Sequence, residues 1–396
     1  MTLKRLALIL TLFVALILTL MACGGNNNGN AAEEEATPAE EEAAAPEAEE
    51  EAAPAEEEAA EEEEAPAEEE MAQEGQIAAG TILNRVLERG RLVCGARTDL
   101  AGFGYLDEAG ENVGFDVDIC RAVAVALFND PEAVEFVPLT AADRGPVLQT
   151  AEVDLLSRNV TWTSSRDAQW GNFTIIMFYD GQGFIVPADS DIQTLEDLNG
   201  ATICVTSGTT TELNLADAFR QRDLEFTADA YEDTATVYST YEGGGCDAAT
   251  SDKSQLAAIQ SGLEDPDAHR ILDVTISKEP LTPAVPHGDD QWFDVVKTVL
   301  MVLVNAEELG INSGNVDDMM GSDNIQVLRL LGQEGSFGQE DLGLDQEFGA
   351  NVIREVGNYG EIYDRYMGPE GDAFTLPRGL NRLWTEGGIL YAPPLR

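Results

Sequence analysis

Side chains that can act as nucleophiles, general bases or metal ligands are few in this chain of 396 residues. It contains only two histidines, His269 and His287, and five cysteines. We find no Ser-His-Asp arrangement and no pair of catalytic carboxylates, and the glycine triplet at 243–245 is better interpreted as a turn than as a phosphate-binding loop. None of the cysteine and histidine spacings is typical of a zinc site. We therefore expect no metal, no cofactor and no enzymatic activity.

One loop has the sequence of an anion-binding site. Residues 207–211 read Ser-Gly-Thr-Thr-Thr and lie between a predicted strand and a predicted helix. A loop that opens a helix presents free backbone N–H groups and the positive end of the helix dipole, which suit an anion. One of the threonines also fits the role of a helix cap, and capping and anion binding can coexist on adjacent residues.

The first residues predict export and lipid attachment. Lys4 and Arg5 precede an apolar run at 6–20, which is typical of a signal peptide. The sequence Leu-Met-Ala-Cys-Gly at 20–24 resembles the bacterial lipobox, in which cleavage precedes a cysteine that becomes lipidated. We therefore expect a signal peptide at 1–22 and a protein anchored through Cys23 on the extracytoplasmic side of the membrane. An uncleaved signal anchor is the alternative.

An acidic, low-complexity segment follows at 23–79. It contains 21 glutamates between Glu33 and Glu74 and no basic residue in that span, and it accounts for part of the net charge of −52. Alanine, glutamate and proline cannot bury a core, so we expect a disordered linker. Its role as a tether or as a solubilising stalk stays open. The strongly negative charge excludes nucleic acid as a partner, since the phosphate backbone would be repelled.

The rest of the chain is predicted to form two α/β lobes. In the first lobe, short apolar runs predict strands and amphipathic segments predict helices; the strands are 92–96, 134–138 and 153–157, and the helices are 117–128 and 143–150. In the second lobe, the predicted strands are 202–205, 224–228 and 248–251, and the predicted helices are 210–222, 234–241 and 254–261. Extended segments at 184–187 and 283–286 are predicted to cross between the lobes.

These crossings set the predicted domain limits. Residues 80–184 and 287–396 form the first lobe with a largely helical C-terminal extension, and residues 185–286 form the second lobe. Two lobes joined by two extended segments enclose a cleft, which is a common location for small-molecule sites.

Four cysteines remain after Cys23, namely Cys94, Cys120, Cys204 and Cys246. An even number in an exported chain favours disulfides over free thiols. Three pairings are possible. We prefer Cys94 with Cys120 and Cys204 with Cys246, since each pair then falls within one lobe.

Several separate blocks of sequence resemble one known family. The blocks are 112–122 (Asn-Val-Gly-Phe-Asp-Val-Asp-Ile-Cys-Arg-Ala), 153–163, 208–216, 288–292, 356–362 and 391–396. Together they are similar to the family 3 solute-binding proteins, the polar-amino-acid receptors of ABC importers, and above all to the general L-amino-acid-binding branch. The similarity spans residues 80–396. It implies the type II periplasmic-binding-protein-like fold, a monomer, a free L-amino acid as ligand and a membrane permease as partner.

The resemblance also implies a site for the ligand's carboxylate. In this family an arginine in a Thr-x-x-Arg turn binds that group, and here the turn is 163–166, which makes Arg166 the expected clamp. Asn159 and Thr161 precede it and are expected to offer polar groups to the ligand. A structural salt bridge from Arg166 to Asp167 or to another acid is the alternative. Arg158 either lines the pocket or braces the cleft.

The second lobe is expected to complete the site. By resemblance, Thr209 and Thr210 add hydrogen bonds to the carboxylate, and Asp252 occupies the position that binds the ammonium. Asp247 is the rival for this role. Lys253 stands where the branch usually has an uncharged residue, and its ammonium either competes for Asp252 or points to solvent.

The wall around the ligand's side chain is expected at 99–105. Leu100 stands where narrower relatives carry an aromatic residue, which predicts a roomy, tolerant pocket. Phe103 and Tyr105 are either pocket or core residues, and Trp162 and Trp170 are expected to be packing residues.

The expected mechanism is hinge closure around the amino acid. The ligand favours the closed state because both of its charges are paired only there. A dehydratase-like enzyme or a ligand-sensing protein on the same fold is the alternative.

Overall fold

The computed structural model describes residues 80–396. The predicted signal peptide, Cys23 and the acidic linker lie outside the described residues, so their predictions stay untested. Within 80–396, no helix has the length and apolarity needed to cross a membrane.

Strands and helices alternate through most of this region. The strands are β1 (Leu92–Ala96), β2 (Asp99–Leu100), β3 (Gly104–Leu106), β4 (Asn112–Val113), β5 (Val134–Pro138), β6 (Leu155–Leu156), β7 (Asn172–Phe173), β8 (Phe178–Asp180), β9 (Gln182–Pro187), β10 (Ala201–Thr206), β11 (Phe226–Tyr231), β12 (Ala248–Asp252), β13 (His269–Ile271), β14 (Glu279–Leu281) and β15 (Ala284–Val285). The α-helices are α1 (Thr81–Arg89), α2 (Phe115–Phe128), α3 (Arg144–Gln149), α4 (Ser164–Gln169), α5 (Thr210–Arg220), α6 (Thr234–Glu242), α7 (Lys253–Gly262), α8 (Asp290–Glu308), α9 (Val316–Met319), α10 (Ile325–Leu330), α11 (Phe348–Glu355) and α12 (Tyr359–Met367).

The first lobe is built on a five-stranded sheet in the order β5-β1-β6-β15-β7. Strand β1 pairs in parallel with β5 and β6, and all five of its residues are buried. The helices α2, α8, α11 and α12 share one apolar core with this sheet, and Trp292, Tyr359 and Tyr363 are fully buried in it. The predicted helical C-terminal extension is therefore confirmed, and it packs on the first lobe.

Gly114 fixes the start of α2, whose first turn contains the buried Asp116. Its φ of 132° is a value that side chains rarely tolerate, and a Cβ there would lie 2.3 Å from the carbonyl oxygen of Phe103. The close approach of the two chain segments therefore requires glycine. It places Asp116 in the first turn of α2, where its carboxylate accepts a hydrogen bond from the backbone N–H of Asn159 (2.7 Å).

The second lobe has its own five-stranded sheet, in the order β11-β10-β12-β9-β13. Strand β10 pairs in parallel with β11 and β12, whereas β9 is antiparallel to β12 and β13. A separate apolar core around Phe184 and Phe219 lies beneath it. The two-lobed α/β architecture predicted from the sequence is confirmed.

The sheet pairing puts the crossovers at different residues from the predicted limits. Strands β8 and β14 form a two-stranded antiparallel ribbon outside both five-stranded sheets. Strand β9 already pairs in the second sheet from Gln182, and β15, predicted to be a crossing, pairs with Leu156 and Phe173 in the first. An apolar tetrapeptide predicts a strand, but only its partners reveal which sheet it joins.

Both preferred disulfides are present. Cys94 on β1 pairs with Cys120 on α2, and Cys204 on β10 pairs with Cys246 just before β12. Each bond lies within one lobe and ties a strand to the element beside it.

Candidate functional site

A small polar cavity lies between the two lobes, at the carboxyl ends of their parallel strands. The first lobe contributes Arg97, Arg144, Arg158, Asn159 and Thr161 to its lining. The second lobe contributes Thr209, Thr210, Ser251, Asp252 and Gln255, among others. The lining is strongly polar, and three of these side chains carry a positive charge against one negative charge.

Five of the eight expected ligand-binding residues line this cavity. They are Asn159, Thr161, Thr209, Thr210 and Asp252. Arg158, whose role was open, lines it as well; its Nε donates to the carbonyl oxygen of Leu139 (2.6 Å). Burial lowers the pKa of Arg158 to about 9, with the neighbouring Arg97 acting in the same direction.

Arg166 is buried beside the cavity rather than in its lining. Thr163 caps helix α4 by accepting a hydrogen bond from the Arg166 backbone N–H, and the Arg166 side chain lies over the Trp170 ring at 4.6 Å. Its Nη1 donates to the carbonyl oxygen of Thr161 (3.1 Å). Burial lowers the pKa of Arg166, and the acids Glu279 and Asp252 oppose this shift. Asp167 accepts from the Phe173 backbone instead, and within residues 80–396 it forms no ion pair with Arg166.

The expected side-chain wall packs as core. Leu100 is fully buried, and Phe103 makes edge-to-face contacts with Phe115 (6.4 Å) and Phe178 (5.2 Å). Neither lines the cavity between the lobes, although Phe103 lines a second, smaller one that also touches Asn159. The hairpin of β2 and β3 turns these side chains into the apolar core, where large apolar residues are commonly buried.

Asp252 ends β12 and immediately precedes α7. Its side chain is only 6% exposed, and its carboxylate accepts no side-chain hydrogen bond within residues 80–396. Burial raises the pKa of Asp252 well above its usual value, and the nearby Asp180 and Glu279 raise it further. Lys253 does not pair with it: its stem lies against Gly183 of β9. The rival Asp247 accepts from the Thr202 backbone, near the start of the neighbouring strand.

The two threonines of the 207–211 loop have different partners. Thr209 caps α5, since its hydroxyl accepts from the Glu212 backbone N–H (3.2 Å) and donates to the Thr206 carbonyl (2.7 Å). The Thr210 hydroxyl instead faces the first lobe and lies 3.3 Å from that of Thr161. Both the capping and the binding interpretation therefore have a residue that fits them.

Two arginines in the cavity lining were missed by the sequence reasoning. Arg97 donates to Asp99 (2.8 Å), Asn159 (3.2 Å) and Gln255 (3.0 Å), yet its Nη2 is buried without a hydrogen-bond partner. Arg144 donates through Nε to the Ala141 carbonyl, and its Nη2 is likewise buried and unsatisfied.

Burial lowers the pKa of Arg144, and the neighbouring Arg158 lowers it further. The signal that could have found Arg97 and Arg144 is position, because Arg97 follows β1 and Arg144 lies in the connection after β5, at the carboxyl edge of a parallel sheet.

The cavity is equipped for binding a charged molecule. Neither His269 nor His287 lines this cavity. His269 hydrogen-bonds Tyr241, and His287 hydrogen-bonds Asn172. Buried guanidinium N–H groups without partners favour an anionic ligand group, because an unsatisfied buried donor carries a desolvation cost that a ligand oxygen would remove.

Comparisons with known proteins identify one family and several similar proteins that cover most of residues 80–396. Residues 92–369 match the family described as bacterial extracellular solute-binding proteins, family 3. The chain is 48% identical over 321 residues to the general L-amino acid-binding periplasmic protein AapJ of Rhizobium johnstonii, which covers 81% of this chain and 94% of AapJ. It is 43% identical over 321 residues to the glutamate/glutamine/aspartate/asparagine-binding protein BztA of Rhodobacter capsulatus, with 81% and 94% covered.

A solved structure is similar over the same region. It is an ABC transporter periplasmic binding protein from Brucella ovis with glutathione bound, at 46% sequence identity and a TM-score of 0.77. The match covers 79% of this chain and 99% of that one.

Proposed function

The chain belongs to family 3 of the bacterial extracellular solute-binding proteins, and on this premise we propose that it captures free L-amino acids for an ABC importer. The observation that carries the proposal is the placement of Asp252 and of several guanidinium groups around one cavity between two lobes. A zwitterion needs an anion and a cation at the distance of one small molecule, and the cavity offers both.

The amino acid is oriented by its two α-substituents. The family's Thr-x-x-Arg turn supports Arg166 as the carboxylate clamp, together with the backbone N–H groups at the start of α5. Arg166 lies beside the cavity lining and uses one of its N–H groups on the carbonyl of Thr161, which lines the cavity. Asp252, whose carboxylate has no hydrogen-bond partner among residues 80–396, receives the ammonium. Asn159 and Thr161 line the same cavity as Asp252.

The ligand's side chain meets Arg97 and Arg144. Each has a buried, unsatisfied Nη2, so side chains that carry a carboxylate or carboxamide oxygen bind best. The names of two relatives support this range, since AapJ is a general L-amino-acid-binding protein and BztA binds glutamate, glutamine, aspartate and asparagine.

Capture takes place outside the cytoplasmic membrane. The protein is a monomer anchored through lipidated Cys23, and the acidic linker at 23–79 lets the two lobes reach the permease. The closed form, in which the ligand's charges are paired, is the form that the permease recognises.

Thermal unfolding in the presence of each of the twenty L-amino acids tests the proposal. We expect the largest rise in Tm with glutamate, glutamine, aspartate and asparagine, because their side-chain oxygens can accept hydrogen bonds from Arg97 and Arg144. A ligand at a hundred times its Kd stabilises the folded state by about 2.7 kcal/mol. Arg166→Met and Asp252→Ala should abolish the shift and leave the circular dichroism spectrum unchanged.

Arg354→Met and Asp317→Ala are matched controls, because this surface ion pair (2.7 Å) joins two helices of the C-terminal extension. Both should retain wild-type binding. Calorimetry that gave wild-type affinity in Asp252→Ala would exclude the proposed site, and a wild-type chain that no L-amino acid stabilises would exclude the function.

A further inference from the structure

Glu279 is a buried acid that belongs to neither five-stranded sheet. It begins β14, one of the two crossover strands that join the lobes, and its side chain is 1% exposed. It forms no ion pair within residues 80–396. A buried charge of this kind needs hydrogen-bond donors in place of water.

Its donors come from both lobes. Oε2 accepts from the hydroxyl of Thr161 in the first lobe (2.6 Å) and from the hydroxyl of Thr210 in the second (2.9 Å). Oε1 accepts from the Asn214 amide on α5 (2.7 Å) and from the Ser277 hydroxyl (2.5 Å). The carboxylate is therefore fully satisfied only while the two lobes are together.

These contacts also decide which way the two threonine hydroxyls point. A hydroxyl has one proton to donate, and a carboxylate can only accept. Because Thr161 and Thr210 both give their proton to Glu279, each presents only lone pairs to the cavity that both residues line. Their oxygens, 3.3 Å apart, can accept hydrogen bonds from an ammonium and cannot donate to a carboxylate.

We propose that Glu279 is a positioning residue for ligand capture: by binding one threonine from each lobe, it holds the closed cleft and turns both hydroxyl oxygens toward the ligand's ammonium. The inference rests on the proposed function and adds a group that touches no ligand. It assigns Thr161 and the Thr210 hydroxyl to the ammonium, beside Asp252, and leaves the carboxylate to Arg166 and backbone N–H groups.

The test compares L-glutamate with glutarate, which has the same two carboxylates and no amine. Glu279→Met keeps the length of the side chain but removes both acceptor oxygens, so neither threonine hydroxyl keeps the partner that orients it. We expect calorimetry to give at least tenfold weaker glutamate binding and less than a threefold change for glutarate. Stopped-flow measurement should place the loss mainly in faster glutamate dissociation.

Thr210→Val supplies a second variant that leaves Glu279 in place, and it should show the same selectivity for the amine. In the double variant, Thr210→Val should add little to the loss caused by Glu279→Met. Glu307→Met is the matched control, because Glu307 is another poorly exposed glutamate, bonded to Arg378 in the C-terminal extension. It should leave both affinities unchanged.

The possible outcomes separate the two proposals. Unchanged glutamate affinity in a folded Glu279→Met or Thr210→Val variant, or equal losses for glutamate and glutarate, overturns the role of Glu279 alone. Failure of the wild-type chain to bind any amino acid overturns the proposed function and this inference with it.

Discussion

Buried charges around the cavity differ in how completely the protein satisfies them. Glu279 has four hydrogen-bond donors, whereas Asp252 has no side-chain partner within residues 80–396, and Arg97 and Arg144 each keep an unsatisfied N–H. A protein rarely leaves such groups unsatisfied, since each costs free energy of folding. Their convergence on one cavity is the expected pattern of a site that is completed by its ligand.

The carboxylate of Asp116 couples this cluster to pH. Burial raises the pKa of Asp116 to about 6, although the Asn159 backbone N–H, Arg97 and Arg158 oppose the shift. In the unfolded chain an aspartate titrates near its ordinary value of about 3.9. Between these two values the folded protein holds a proton that the unfolded chain has lost, so stability falls as pH rises through this window.

We expect the unfolding free energy to reflect this titration. Its contribution is present below about pH 4 and is lost by about pH 6.5, with a span of up to about 3 kcal/mol. Asp116→Asn removes the titration, so the variant should gain stability relative to wild type over the same range, as measured by urea denaturation at several pH values. Asp130→Asn, at an exposed position, is the control. Parallel profiles for wild type and Asp116→Asn would contradict the prediction.

Helix beginnings supply much of the site at the scale of elements. Helix α5 opens into the cavity with Thr209 and Thr210, and α7 begins directly after Asp252. Parallel strands bring such helix starts to one edge of the sheet, so that the backbone N–H groups of several helices face the same space. The antiparallel β9 then connects this edge to the crossover ribbon.

The different partners of Thr209 and Thr210 predict different effects of mutation. Thr209→Ala should lower the unfolding free energy by about 1 kcal/mol, because it removes the cap of α5. Thr209→Ser should restore the cap, and Thr210→Ala should weaken ligand binding more than it weakens folding. Urea denaturation and calorimetry on the three variants check this. A wild-type unfolding free energy in Thr209→Ala, or wild-type ligand affinity in Thr210→Ala, would contradict it.

At the scale of the whole molecule, the structure is closed across the cleft. Gln255 on α7 of the second lobe accepts hydrogen bonds from Arg97 (3.0 Å) and Asn159 (3.5 Å) of the first lobe. With the Glu279 contacts, these bonds hold the lobes together on the cavity side, while β8 and β14 join them at the hinge. Ligand affinity therefore depends on how far the ligand-free chain already populates this form.

Gln255→Ala should shift that population toward the open form. A hydrogen bond to a charged group contributes about 1.5 kcal/mol, so its loss changes the open-to-closed ratio roughly tenfold. Small-angle scattering should give a larger radius of gyration than wild type without ligand and the same value at saturating ligand. Gln260→Ala on the same helix, whose amide bonds only within the second lobe, should behave as wild type. A ligand-free radius in Gln255→Ala equal to that of wild type would exclude this role for Gln255.

The sequence by itself determined the elements, because apolar periodicity and turn residues are local properties. The strands at 92–96 and 134–138 have the predicted bounds, and both disulfide pairings are as preferred. Similarity to a family added the residues around the cleft, and five of its eight ligand-binding candidates line the cavity. Their roles in binding stay predictions until they are tested with ligand.

Only the tertiary structure decided what depends on partners distant in the chain. Strand β15 joins the first sheet because of its pairing with Leu156 and Phe173, which the four residues of the predicted segment 283–286 cannot encode. Leu100 and Phe103 turn into the core because α2 and the crossover ribbon pack there. Glu279 is 118 residues from Thr161 and 69 from Thr210, and its role as a shared acceptor exists only once both lobes meet at the hinge.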